Sequence, residues 1–184
     1  MLRYLLLGML NYRPMNGYQL KQFMETSTAH FWHAKLSQIY MTLKAMEEEK
    51  LLTSHVEPQD DKPDRRMYTI TDAGRAELRS WLLTPLTDLE PAKEPLLLKL
   101  FFSGQVDRET LLAQLQVQRS LFARLGELYR EEVAARIRQI AEGQPALQKD
   151  ALLWEATRRL GELTTDLYVR WLDETMQMIR EHFD

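Results

Sequence analysis

Ser37, Gln38, Met41, Lys44 and Ala45 recur at steps that place them on one side of a helix, and no bulky aliphatic run covers that side. With successive residues about 100° apart, Leu36, Ile39, Leu43 and Met46 fall on the other side, which must face a core. The chemistry open to the polar side is recognition, not bond breaking. Gln38 carries the donor and acceptor that match adenine, Ser37 can bond a base edge or a phosphate, and Lys44 can meet phosphate or guanine. Tyr40 lies to the side, where its hydroxyl could reach a phosphate. A second basic group follows: Lys62, Arg65 and Arg66 sit at and just after a turn between two stretches of strand character. A helix followed by a basic β-ribbon is how a winged helix-turn-helix grips duplex DNA, with the helix in the major groove and the ribbon on the neighbouring backbone. An ordinary amphipathic helix, and a hairpin whose arginines pair with Asp60, Asp61 and Asp64, would use the same residues. The flanking segments tip the balance.

Those segments must hold the helix and ribbon in place. Leu2 to Leu10 is an apolar run, far shorter than the roughly 18 residues of a membrane span, and it lacks a signal-peptide cleavage site. It predicts a buried first helix, stopped at Asn11-Tyr12-Arg13-Pro14 because proline biases the residue before it away from helical angles. Asn16 is a candidate N-cap for a second helix from about Gly17 to Thr26. Tyr18 and Lys21 on that helix are candidate DNA contacts, as is Lys35 ahead of the third. Phe31 and Trp32 are expected to plug the turn between the second and third helices. His30 and His33 have a spacing that could converge on a metal, but with no Cys and no third ligand nearby they are read as polar neighbours or phosphate contacts. Strands are predicted over 51–57 and 65–70, with a turn rich in breaker residues between them. Thr71 or Asp72 caps a further helix that ends near Thr84-Pro85.

Composition is that of a soluble cytoplasmic protein with a real core: 45% of its 184 residues are apolar. Zero cysteines exclude a disulfide framework, a thiolate zinc site and a thiol nucleophile. The seven glycines form no phosphate loop, and there is no nucleophile elbow or paired-histidine helix motif, so an enzyme is not expected and no cofactor is implied. Charge runs against the DNA reading. The net charge is −3, where a basic domain is the simpler expectation. Residues 1–86 hold 11 Lys and Arg against 10 Asp and Glu, and residues 87–184 hold 13 against 17. Binding would depend on local placement: Lys21, Lys35, Lys44, Lys62, Arg65 and Arg66 on one face, with Glu47, Glu48 and Glu49 turned away or at the helix end.

The chain resembles the PadR family of transcriptional regulators. The likeness rests on Gly17-Tyr18-Gln19-Leu20, Phe31-Trp32, Ser37-Gln38-Ile39-Tyr40 with Leu43-Lys44 and Met46-Glu47, Pro63-Asp64-Arg65-Arg66-Met67-Tyr68, and Ile70-Thr71-Asp72-Ala73-Gly74. These motifs fall in order across about the first 85 residues. The remainder is similar to the family's longer branch, whose helical C-terminal region is related to virulence-activator domains and opens with a segment like Lys93 to Phe102. Met46 stands where the pattern often has leucine, and Pro95 interrupts the charged lead-in. The resemblance implies a homodimer on a pseudo-palindromic operator, usually a repressor, often responsive to a small molecule.

The expected architecture is mainly α with a small β-hairpin: a winged helix-turn-helix over 1–86 and a long-helix dimerisation domain over 87–184. One long helical segment opens at Asp107-Arg108-Glu109, carries Leu111, Leu115, Phe122, Leu125 and Tyr129, runs on towards Ile137 and Ile140, and ends at Gly143-Gln144-Pro145. A second runs from about Ala146 to Phe183, with a stripe of Leu153, Leu160, Leu163, Leu167, Trp171 and Met178. Two such helices are too thin to bury both faces, and a second protomer would supply the missing partners. Phe122, Tyr129, Trp154, Tyr168 and Trp171 could line a pocket for a flat aromatic effector, or could equally be packed core or dimer seam. A winged helix used for protein contact is the rival reading.

Overall fold

The computed structural model describes residues 1–28, 31–58, 64–88 and 93–183. The chain divides into two compact units, Met1–Glu90 and Pro91–Asp184.

In the first unit, α1 (Leu2–Tyr12) buries Leu6, Leu7, Met9 and Leu10 and gives way to an extended Arg13 ahead of Pro14. A two-residue strand, β1 (Met15–Asn16), leads into α2 (Gly17–Ser27). Asn16 closes a capping box: its side-chain oxygen accepts from the Gln19 amide at 2.8 Å, and the Gln19 side chain accepts from the Asn16 amide at 3.0 Å. Next come α3 (Leu36–Glu48), β2 (Leu52–Glu57), β3 (Arg65–Ile70) and α4 (Asp72–Leu83). Thr71 caps α4 by accepting from the Gly74 amide at 3.1 Å. The three strands form an antiparallel sheet in the order β1-β3-β2. One continuous core joins Leu6, Leu7 and Leu10 of α1, Leu20 and Met24 of α2, Ile39, Leu43 and Met46 of α3, Leu52, Tyr68 and Ile70 of the sheet, and Leu78 of α4. Burying a leucine this fully contributes about 1.5–3 kcal/mol. Leu36, the first residue of α3 and expected in this core, is exposed instead, at 37%. Of the pair expected to plug the turn between α2 and α3, Trp32 is half-buried and Phe31 is 55% exposed.

The link from α3 to β2 has an unusual residue. The Leu51 amide bonds the Met46 carbonyl at 2.9 Å and the Lys50 amide bonds the Glu47 carbonyl at 2.9 Å. That is the Schellman pattern. The left-handed position that glycine usually fills is taken by Lys50, with φ of 61°.

The second unit is helical. It contains α5 (Pro95–Phe101), a 3-10 turn (Ser103–Gln105), α6 (Arg108–Leu128), a π-turn (Tyr129–Val133), α7 (Ala134–Gly143), a second 3-10 turn (Pro145–Leu147) and α8 (Gln148–His182). Pro95, which looked like an interruption, starts α5 at the first helical position, where its missing N–H costs nothing. The helix expected over about 107–143 is present but carries the π-turn near its middle. It packs antiparallel along α8, a 35-residue helix about 50 Å long at roughly 1.5 Å per residue. Leu111 and Leu115 meet Leu172, Met176 and Ile179, and Arg119 bonds Asp173 at 2.6 Å.

The face of α8 that packs inside the unit is not the expected leucine stripe. Its buried residues include Arg158, Glu162, Thr165 and Thr175. Leu153, Leu160 and Leu167 are 65%, 66% and 63% exposed, and Leu163 and Met178 are at least half exposed. Periodicity places these leucines together, as expected, but on the outside. On the inner face, Arg158 bonds Glu155 at 2.7 and 2.6 Å, Glu162 at 2.9 Å and the Tyr129 carbonyl at 3.1 Å.

Candidate nucleic-acid interface

The recognition surface is built on α2, α3 and the β2–β3 ribbon. Gly17, the first residue of α2, lies against the Tyr40 ring of α3. A Cβ there would stand 2.5 Å from the ring edge, so any larger residue would push the Tyr40 ring aside. Tyr18 of α2 and Tyr40 of α3 are both exposed. Lys21 is half-buried and pairs with Glu25 at 3.0 Å.

On α3, Lys35, Ser37, Gln38, Tyr40, Met41 and Lys44 are all exposed, Met41 at 74%. They form the polar face that the sequence predicts. Gln38 also helps to start the helix. Its side-chain oxygen accepts from the Lys35 amide at 2.9 Å, satisfying one of the orphan N–H groups at the beginning of α3. The Nε2 donors remain available to a ligand. The Gln38 carbonyl accepts from Thr42 Oγ1 at 2.8 Å.

The ribbon departs from expectation. Successive strand residues point to opposite faces. Tyr68 and Ile70 of β3 are buried and Met67 and Thr69 are half-buried, so Arg66 shares the inner face with Tyr68, while Arg65 projects from the outer one. The two arginines therefore do not lie on one face with the lysines. Arg65 stands opposite Glu57 in the ladder and Arg66 opposite Val56. Arg66 also has partners the sequence did not suggest. Its Nε donates to Ser54 Oγ at 2.8 Å, and its Nη2 lies 3.6 Å from a Glu47 oxygen. Ser54 in turn donates to Glu47 Oε1 at 2.5 Å. Burial pushes the neighbouring Tyr68 hydroxyl above its ordinary pKa, and Arg66 beside it opposes the shift. Lys62 and His30 lie outside the described residues, as do Asp60 and Asp61.

The three glutamates at the end of α3 are each engaged. Glu47 holds Ser54 and Arg66, Glu48 lies 3.9 Å from Lys44, and Glu49 pairs with Arg3 of α1 at 2.5 Å. This is how a unit without net basic charge presents its polar face. Among the described residues, no group of His, Cys, Asp and Glu could hold a metal, and no helix is long and apolar enough to cross a membrane.

Of the five aromatic residues expected to line a pocket, Phe122, Tyr168 and Trp171 come together. Phe122 and Tyr168 stack with centroids 4.3 Å apart, and Trp171 meets Tyr168 edge-on at 6.0 Å. Tyr129 is buried with its ring on Gly161, whose absent Cβ would lie 2.9 Å away. Trp154 is half-buried further along α8. Two open grooves occur in this unit, one along Gln116–Arg124 of α6 and one between α7 and α8 around Ile137, Arg138, Leu152 and Glu155. None of the five lines either groove.

A three-helix core with a polar recognition helix seated beside a β-ribbon defines a winged helix-turn-helix transcriptional regulator. Residues 6–80 match the transcriptional regulator PadR-like family, and residues 92–180 match the virulence activator alpha C-terminal family. The negative transcriptional regulator PadR of Bacillus subtilis is 30% identical over 182 residues, 97% of each chain. The structure of B. subtilis PadR in complex with operator DNA aligns with a TM-score of 0.81 at 26% identity, covering 97% of both chains. The same protein in complex with p-coumaric acid aligns at a TM-score of 0.73 and 24% identity, covering 97% of this chain and 98% of that one. The chain belongs to the PadR family, a family of transcriptional regulators rather than enzymes.

Proposed function

We propose that this chain is a homodimeric repressor that binds a pseudo-palindromic DNA operator. The observation that carries the reading is the exposed polar face of α3, with Lys35, Ser37, Gln38, Met41 and Lys44 open to solvent beside the ribbon. Likeness over the whole length to a regulator solved on its operator supports it. In this reading Ser37, Gln38 and Met41 face base edges, while Tyr18, Lys21, Lys35, Tyr40 and Lys44 meet phosphates. Arg65 and Lys62 reach the flanking backbone, and Arg66 works from the inner face of the ribbon. Dimerisation through the outward leucines of α8 would set two such surfaces about one DNA turn apart, ~34 Å, or a multiple of it.

A mobility shift on the DNA upstream of the chain's own gene, with a salt series and a footprint, tests this. A protected two-fold site, with affinity falling as salt rises, is expected. Gln38→Ala should weaken operator binding by about 1–3 kcal/mol and leave random-duplex affinity nearly intact. A chain that prefers no duplex over random competitor would overturn the reading in favour of a winged helix that contacts protein.

The relative solved with p-coumaric acid favours a second element, release by a small planar aromatic acid. Trp171, edge-on to Tyr168, which stacks on Phe122, would report it as quenched tryptophan emission. A ligand that releases the operator must bind the DNA-free arrangement more tightly than the DNA-bound one. Absence of both quenching and release across a set of phenolic acids would mark a repressor without this effector class.

A further inference from the structure

Resting on the DNA-binding reading above, we infer that Glu47 is a positioning residue of the interface: through Ser54 and Arg66 it locks the β-ribbon against the end of the recognition helix and aims Arg66 at the duplex. Glu47 is an unexpected residue to find here. An anionic side chain on the helix that enters the groove should repel phosphate, and on charge alone its removal should tighten binding. The geometry assigns it the opposite role. Glu47 lies in the last turn of α3 and is only 28% exposed. It accepts from Ser54 Oγ at 2.5 Å, Ser54 accepts from Arg66 Nε at 2.8 Å, and Arg66 Nη2 stands 3.6 Å from the second Glu47 oxygen.

This chain of contacts joins α3, β2 and β3 at the edge of the core. It engages the guanidinium through Nε and Nη2, the Tyr68 hydroxyl is a further hydrogen-bond partner of Arg66, and the Arg66 side chain is still 56% exposed. Arg66 sits on the inner face of β3 with Tyr68, the face that packs towards the helices. A flexible arginine loses rotamer freedom when it meets a phosphate, at a cost of about 0.5–1.5 kcal/mol. An arginine already held by a carboxylate and a hydroxyl has lost that freedom beforehand. Glu48 makes the contrast: one residue on, it is open to solvent and reaches only Lys44 within its own helix, at 3.9 Å.

Glu47→Gln and Glu48→Gln in the full-length chain separate the two roles, because each removes one negative charge from the same helical turn. Affinity for the operator and for a random duplex is measured across a salt series, with thermal unfolding as a check on folding. Glu48→Gln should tighten both duplexes together. Glu47→Gln should weaken both the operator and the random duplex, by about 2–13-fold, the range set by one pre-ordered side chain that meets phosphate. Ser54→Ala should move in the same direction, and Glu47→Asp should recover part of the loss. Arg66→Gln should lower the salt slope of operator binding by about one in the native background and by much less beside Glu47→Gln. If Glu47→Gln tightens both duplexes as Glu48→Gln does, or if Arg66→Gln has the same effect in both backgrounds, the inference falls and the DNA-binding reading stands. If the unaltered chain itself shows no preference for the operator, that reading fails and takes this inference with it.

Discussion

The two units bury their apolar residues in opposite ways. The N-terminal unit folds its leucines and methionines inward from four helices and a sheet, and leaves a polar face outside. The C-terminal unit has a small apolar core at one end, where Leu172, Met176 and Ile179 of α8 meet α6, but elsewhere α8 packs an arginine, a glutamate and two threonines inward and turns a row of leucines out. A stripe that wide on a lone chain marks an interaction surface. The contrast teaches that one half is a finished domain, while the other is, in the dimer proposed above, half of a shared one.

The strongest way to break the contrast is to charge the stripe. Leu160→Asp with Leu167→Asp should raise the dimer dissociation constant by at least about 100-fold, since each leucine lost from a seam forfeits roughly 1.5–3 kcal/mol. Light scattering behind size exclusion should then read a monomer at micromolar concentration. A persisting dimer would mean that the outward stripe is not the seam.

Gly74→Ala probes the finished half. Its Cβ would come 2.3 Å from the Leu51 carbonyl and 2.8 Å from Ile70, and backbone cannot step aside as a side chain can. The expected loss is about 1–3 kcal/mol, seen as a lower unfolding midpoint for the N-terminal unit with oligomeric state unchanged. A midpoint equal to that of the unaltered chain would show the first core to be looser than its packing implies.

Acid should act on the shared half. Hydrogen bonds from Arg158 hold the Glu155 carboxyl below its usual range, those from Arg159 and then Arg158 do so for Glu162, and Arg119 does so for Asp173. A carboxyl whose pKa is lowered by folding stabilises the fold above its unfolded value and loses that contribution as pH falls. The urea midpoint of the C-terminal unit should therefore fall as pH drops below the ordinary carboxylate value of 4.5. A flat profile from pH 6 to about 3 would contradict these pairings.

The smallest expected effect is a gain. Lys50→Gly relieves a left-handed lysine, worth about 1–2 kcal/mol, against the extra chain entropy of glycine. A net rise of up to about 1 kcal/mol in the N-terminal unit, with operator affinity unchanged, would sharpen the picture of a self-sufficient fold. A loss instead would mean that the Lys50 side chain supports the turn.

Most of the first unit was legible because its boundaries are chemical. Pro14, the Asn16 N-cap and Thr71 each act through neighbours a few residues away. The strand at Met15–Asn16 was not, since two residues carry no pattern and it exists only because β3 lies alongside. The polar face of α3 could be read from its period, but the Glu47, Ser54 and Arg66 network could not, because it joins residues brought together by the fold. The alternation that parts Arg65 from Arg66 was written in the strand, yet charge counting merged them. On α8 the leucine row was plain and its direction was not: periodicity defines a stripe without saying which neighbour it meets. The π-turn at Tyr129–Val133 left no mark in composition, and its reason lies across the hairpin in Gly161 and Arg158.

In the dimer proposed above, the row of leucines along α8 would also tie the supply of this regulator to its survival. Dilute chains would present greasy, half-supported helices to proteases and chaperones, whereas chains abundant enough to find a twin would hide them, so mass action itself would decide how many copies persist. A cell that makes too little of it would accumulate almost no functional molecules, and the response to rising synthesis would be steeper than linear.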